Sequence, residues 1–281
     1  MTLALRVLVV LVVATLYTPT LLAMAHVWWT DTYAGHGMFV PLFCVLVAWM
    51  ERDRLRAAVG RGSAAGLVFL AVGFAVLGVG HAAGSLLLQG LSVPLAVAGL
   101  VAWSFGLRFL RHAAFPVWFL ALMVPLPRPV VDAFTLDLQL FAASVAASAL
   151  RLLDIPIHRV GTLIELPSLT LRVAEVCNGL RFLMALLVLT TAFAQVTQRT
   201  IPRKITLALS SIPIAILANA ARVAAIGVGV HLIGPEAASG TIHHWIGKGV
   251  WGLTLIPLAA LGFLLSRIRV SRATRLEEEA A

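Results

Sequence analysis

The chain has 281 residues, 60% of them hydrophobic and only 12% charged, and a mean hydropathy of +0.99. A soluble domain carries about 25% charged residues, so several segments of ~20 residues must lie in lipid and a soluble globular protein is excluded. The net charge of +9 does not point to nucleic acid, because the basic residues sit in short clusters between apolar runs: Arg52/Arg54/Arg56/Arg61, Arg108/Arg111, Arg199/Arg203/Lys204 and Arg267/Arg269/Arg272/Arg275. That is the pattern the positive-inside rule gives cytoplasmic loops.

The first apolar run, from Ala4 to about Ala25, ends in Leu22-Ala23-Met24-Ala25, which looks like a signal-peptide cleavage site. Its lone Arg6 and its length favour a retained first span. A second span starts near Met38 and ends at the cluster from Arg52; Cys44 within it reads as a small buried hydrophobe. Spans three and four, about 64–82 and 88–106, turn around Gly84, and Gly73, Gly78 and Gly80 allow close helix approach in the third. A short fifth span, 113–124, stops at the three prolines of Pro125-Leu126-Pro127-Arg128-Pro129.

Over 130–153, Asp132, Asp137, Gln139, Ser144, Ser148 and Arg151 interrupt the apolar residues. This predicts an amphipathic helix on the membrane surface or against the bundle. From Asp154 to Arg172, the alternation of Ile164, Leu166, Leu169 and Leu171 predicts a short extended or hairpin element. A sixth span follows at 177–196, a seventh from Ile205 as far as Leu232, a polar turn at 234–244, an eighth span at 245–265, and a basic tail over 267–281. The expected fold is all-α, a single integral-membrane domain over 1–281. It has about eight transmembrane helices, an amphipathic helix on the extracytoplasmic face and a short extended segment. Placing every basic cluster in the cytoplasm puts both termini inside, and puts His36, the 126–175 segment and the 234–244 turn outside.

The stretch Val173-Ala174-Glu175-Val176-Cys177-Asn178-Gly179-Leu180-Arg181 opens the sixth span with a thiol and carries Arg181 one helical turn further on the same face. Arg222 interrupts an otherwise apolar run, where an unpaired charge at mid-membrane costs at least ~2.5–3.5 kcal/mol. It lies eighteen residues beyond Lys204, which at 1.5 Å per residue is about 27 Å across a hydrocarbon core ~30 Å thick. Arg222 therefore reaches the outer edge of the bilayer, level with Cys177 and with His243 and His244.

A thiol, an imidazole and a guanidinium at one depth suit acyl transfer. The thiolate attacks, a histidine moves the proton, and the guanidinium stabilises an oxyanion. A helix N-terminus and Arg181 would lower the pKa of Cys177. Each residue also has a plainer reading: a packed thiol, interfacial histidines, an arginine that snorkels or pairs with Glu175. Two other functions fit the same residues, a transporter or channel with Arg222 and His243/His244 lining a solute path, and a His-dependent membrane acyltransferase. Retained activity in Cys177→Ala would separate both from a thiol enzyme. The two cysteines form no CxxC pair, and no metal-ligand set or phosphate loop stands out, so neither cofactor nor metal is implied.

These residues resemble the exosortase/archaeosortase family of integral-membrane cysteine transpeptidases. The family pattern is similar to Val173–Arg181, then Asn219-Ala220-Ala221-Arg222 in the next helix, then His243-His244-Trp245-Ile246-Gly247. Upstream, Tyr33-Ala34-Gly35-His36-Gly37 with Val40-Pro41, Phe115-Pro116 through Pro125-Leu126-Pro127, and Gly161 through Leu166-Pro167 also match. The resemblance covers about 30–260. It implies Cys177 as nucleophile, Arg222 as the positioning or transition-state residue and His243, in preference to His244, as acid and base. Arg181, Glu175, Asn219 and His36 are possible supporting residues. Asn178 departs from the family's Ser, at a position that bears on motif preference. The implied substrates are exported proteins bearing a C-terminal sorting signal: a short motif such as Pro-Glu-Pro, a membrane helix and a basic tail. The implied setting is the inner (plasma) membrane amid its lipids, with the product passed to a surface acceptor, a polysaccharide or a lipid.

Overall fold

A computed structural model describes residues 3–173 and 179–267, and among these residues seven helices are long and apolar enough to cross a bilayer. The fold is an all-α polytopic membrane bundle with a small antiparallel sheet. The chain divides into two compact units, Met1–Val131 and Asp132–Ala281.

The first unit holds α1 (Leu3–Thr30), α2 (Phe39–Met50), α3 (Arg52–Ala57), α4 (Ala65–Ala82), α5 (Leu86–Phe105), α6 (Leu107–His112) and α7 (Ala114–Phe119). Helices α4 and α5 form a tight hairpin for a reason visible in the chain. Gly66, Gly73 and Gly80 recur every seven residues on one face of α4, and a Cβ there would stand 2.3 Å from Trp103 N, 3.1 Å from Ala96 N and 2.7 Å from Gln89 N. Backbone meets backbone because no side chain intervenes. Gly78, expected to share this role, faces open space.

Hydrogen bonds tie α1 to the hairpin. The Tyr17 hydroxyl donates to the Gly73 and Ser92 carbonyls (3.4 and 3.3 Å), the Thr20 hydroxyl to Gln89 Oε1 (3.2 Å), and Gln89 Nε2 to the Gly80 carbonyl (3.3 Å). Polar groups left unpaired in lipid would each cost several kcal/mol.

The second and fifth expected spans are shorter than a crossing requires. The 12 residues of α2 reach only about 18 Å, because Gly35-His36-Gly37 sets a 3-10 turn before it and a turn at Glu51 ends it. The apolar helical stretch Ala114–Met123 is shorter again, stopped by the prolines.

The second unit takes up most of α8 (Arg128–Leu152), then β1 (His158–Val160), β2 (Leu163–Glu165), β3 (Thr170–Arg172), α9 (Leu180–Thr197), α10 (Ile201–Leu232) and α11 (Gly240–Arg267). Helix α8 is the segment expected to be amphipathic. Ala142, Ala143, Ala146, Ala147 and Leu150 are buried at helical spacing while Ser144, Ser148 and Arg151 are exposed, and it is also one of the seven helices long and apolar enough to cross. The alternating segment becomes a meander in the order β1-β2-β3, with Arg159 opposite Ile164 and Ile164 opposite Leu171. Its inward residues Ile164, Leu166, Leu171 and Val173 pack in one core with the α8 stripe and with Ala220, Val223, Ile226 and Val230 of α10.

Helix α9 starts at Leu180 with Gly179 as its N-cap. The expectation that Cys177 opens this helix falls outside the described residues, as does the tail from 268 onward. Helix α11 starts at Gly240, five residues earlier than expected, so His243 and His244 stand in its first turns and not in a preceding loop.

Candidate active site

Three helices of the second unit line a half-open cavity of about 590 Å³, a size typical of ligand sites. The start of α9 contributes Gly179, Arg181 and Phe182. Helix α10 contributes Ala218, Asn219 and Arg222, and α11 contributes His243, His244, Gly247, Lys248 and Trp251. Asn219 and Arg222 are three residues apart and therefore share a face of α10.

The centre of the cavity is a contact between Arg222 Nη2 and His243 Nε2 at 3.2 Å. A guanidinium has donors and no acceptor, so Nε2 accepts and the imidazole is neutral, with its proton on Nδ1. That Nδ1 and Arg222 Nε are both buried without a hydrogen-bond partner among the described residues. Two donors of this kind are unusual in a finished core and usual where a ligand completes the set.

The neighbours fit this pair closely. A Cβ on Gly247 would lie 3.3 Å from Arg222 Nε, so the guanidinium rests against α11 backbone. A Cβ on Gly179 would lie 3.2 Å from the Asn219 side chain, and Gly179 itself has φ of 83°, the left-handed region that favours glycine. The beginning of α9 is thus seated directly on Asn219, which is buried. His244 is exposed and donates Nδ1–H to the Gly240 carbonyl at 2.7 Å, and Lys248 lies 5.0 Å over the Trp245 ring. The lining includes the cations Arg181, Arg222 and Lys248, with no Asp or Glu among its described residues.

The family model described as transmembrane exosortase (Exosortase_EpsH) matches residues 28–260. The chain belongs to the transmembrane exosortase family. Neither the curated proteins nor the solved structures yield a match. Exosortases process the sorting signals of exported proteins, so the chain is a multi-pass membrane enzyme of that kind.

Of the residues singled out in the sequence of this exosortase, Arg181, Asn219, Arg222, His243 and His244 come together in the cavity. Cys177, Glu175 and Asn178 lie outside the described residues. The partner that Arg222 meets among the described residues is His243, not a carboxylate. His36 belongs to the first unit and is not a lining residue of the cavity. Its burial holds its pKa below the ordinary imidazole value, against the opposing pull of hydrogen bonds to the Leu122 and Tyr33 backbone.

The motif around His36 has packing work of its own. Trp28 Nε1 donates to the Met123 carbonyl at 2.8 Å, and a Cβ on Gly37 would collide with the Trp28 ring. Arg128 pairs with Asp31 at 3.2 Å and lies 5.6 Å over Tyr33.

Lys248, Trp251, Phe182 and the seat that Gly247 provides were not singled out from sequence. Lys248 and Trp251 follow His244 by four and seven residues, the spacing of one helical face. That signal becomes readable only when the helix is started at Gly240.

Proposed function

We propose that this exosortase is a cysteine transpeptidase whose nucleophile is Cys177, served by Arg222 and His243. The observation that carries the reading is the 3.2 Å contact between Arg222 and His243 in a cavity whose wall begins at Gly179. Cys177 precedes Gly179 by two residues, and two peptide links span at most about 7 Å.

The chemistry runs in two halves. Arg222 turns its guanidinium from Nε2 to the scissile carbonyl oxygen, which frees the imidazole lone pair. His243 takes the thiol proton, the sulfur attacks the carbonyl carbon, and Arg222 holds the resulting oxyanion. His243 then protonates the leaving amine as the C–N bond breaks, leaving a thioester on Cys177. In the second half His243 deprotonates an acceptor hydroxyl, amine or water, which attacks the thioester and releases the thiol. Arg181 adds positive charge at the same wall, and Asn219 fixes the approach of α9.

The substrates are exported proteins with a C-terminal signal of short motif, membrane helix and basic tail, and the acceptor is a surface polysaccharide or lipid. Helix α9 has 18 residues and so is about 27 Å long, with the basic turn Arg199–Lys204 at the end away from Gly179. Basic turns face the cytoplasm, so the cavity belongs at the outer face of the plasma membrane. A substrate helix with its basic end inside presents its motif there.

The test is co-expression with a tagged reporter carrying a candidate signal from the same genome. Processing is expected in wild type and His244→Ala, and lost in Cys177→Ala, Arg222→Ala and His243→Ala. Processing that survives Cys177→Ala would overturn the thiol mechanism.

A further inference from the structure

The sheet that precedes the thiol has an outer strand, β3, and its hydrogen-bonding pattern tells which backbone groups are spoken for. Val173 donates its N–H to the Thr162 carbonyl at 3.0 Å, and Leu166 donates to the Leu169 carbonyl at 2.9 Å. With Ile164 opposite Leu171, the bonded pairs of this ladder are Val173/Thr162, Leu171/Ile164 and Leu169/Leu166, because bonded and non-bonded pairs alternate in an antiparallel sheet. Thr170 and Arg172 therefore turn their N–H and C=O groups away from β2. They form two donors and two acceptors along an edge that is open among the described residues, where β3 is the last strand of the sheet. Both residues are exposed, while Leu171 and Val173 hold the strand down on the α8–α10 core.

An open edge of this kind is a template for an added strand. From the placement of this edge we infer that the exosortase receives its substrate polypeptide as an extended strand paired with Thr170–Arg172, an inference that rests on the function proposed above. Two observations choose this occupant. The edge is continuous in sequence with the cavity: Arg172 is seven residues before Gly179, with Cys177 between them. The charges also suit a peptide with acidic side chains, since the cavity lining offers Arg181, Arg222 and Lys248 without a carboxylate among its described residues. Pairing along the edge supplies affinity through main-chain bonds that are indifferent to sequence, and leaves the cavity to read the motif.

The test exploits proline. On an outer strand, proline is tolerated where the N–H points away from the sheet. Arg172→Pro and Thr170→Pro each delete one outward donor and no bond to β2, whereas Arg172→Ala and Thr170→Ala change only side chains. With the full-length enzyme and the reporter in membranes, processing is expected to fall about tenfold for each proline and to stay near wild type for each alanine. Thr170→Cys in a Cys177→Ala background is then crosslinked to reporters with a cysteine walked along the segment before the cleavage point. Disulfides are expected at every second position. Proline variants that process normally, alanine variants that fail as badly as the prolines, or crosslinks without alternation would overturn edge pairing. If the proline variants do not accumulate, the crosslinking series decides alone. Processing by Cys177→Ala would instead overturn the thiol reading, which keeps the two failures apart.

Discussion

Gly247 lies directly beneath the guanidinium of Arg222: a Cβ built on it would stand 3.3 Å from Nε and 3.5 Å from Nη2. A methyl group at that distance forces a shift of a few tenths of an ångström, and the atoms that must move are those that reach His243. Gly247→Ala should therefore reduce reporter processing about tenfold at unchanged membrane abundance, and Gly247→Val by about 10²-fold, since a misplacement of 1 Å costs on that order. Processing rates normalised to immunoblotted enzyme check this. Wild-type rates in Gly247→Val would mean that the position of the guanidinium does not matter.

The contact from Arg222 to His243 uses one arm of a planar fork, and its Nε is buried without a partner among the described residues. Lysine keeps the charge but presents a point cation on a flexible stem. Arg222→Lys should then lose activity nearly as fully as Arg222→Ala, by about 10²–10³-fold if the fork holds an oxyanion. Single-turnover cleavage of the reporter in detergent measures it. A lysine variant within a few-fold of wild type would reduce the role of Arg222 to a diffuse positive field.

Why some of this was legible in the chain and some was not follows from range. Apolar runs of eighteen residues or more announce α4, α5, α9 and α10 because lipid demands length, and the alternation from Ile164 to Leu171 announces a sheet because its period is local. The level of Arg222 follows from a constant helical rise, and the structure does bring its side chain to His243. The start of α11 at Gly240 was not legible, because the polar residues of a first helical turn have the composition of a loop. For the same reason Lys248 and Trp251 gave no sign of sharing a wall with His244. The choice of Gly66 over Gly78 for the α4–α5 seam depends on the rotational setting of a separate helix, which no local pattern contains.

Gly179 carries two constraints at once, φ of 83° and a 3.2 Å approach to the Asn219 side chain. Gly179→Ala pays about 1–2 kcal/mol for the left-handed backbone alone, and its methyl group then presses on Asn219. The variant should melt at a lower temperature in detergent and process the reporter poorly. Adding Asn219→Ala removes the 3.2 Å contacts with Cγ and Nδ2 but leaves the one with Cβ and the backbone cost, so the double variant should recover part of the lost stability. A double variant that melts no higher than Gly179→Ala would show that the approach to the Asn219 amide carries no cost.

The α4–α5 hairpin makes a prediction remote from the chemistry. A side chain at Gly66 meets Trp103 backbone at 2.3 Å and one at Gly73 meets Ala96 N at 3.1 Å, whereas nothing lies within 4 Å of Gly78. Helices in lipid gain nothing from excluding water from each other, so their association depends on this close fit. Gly66→Leu and Gly73→Leu should separate the pair, break the Tyr17 bonds to Gly73 and Ser92, and lower the monodisperse fraction in size-exclusion chromatography several-fold. Gly78→Leu, with equal hydrophobicity and the same loss of glycine, should elute as wild type. If all three variants behave alike, helix propensity and not the seam controls this part of the fold.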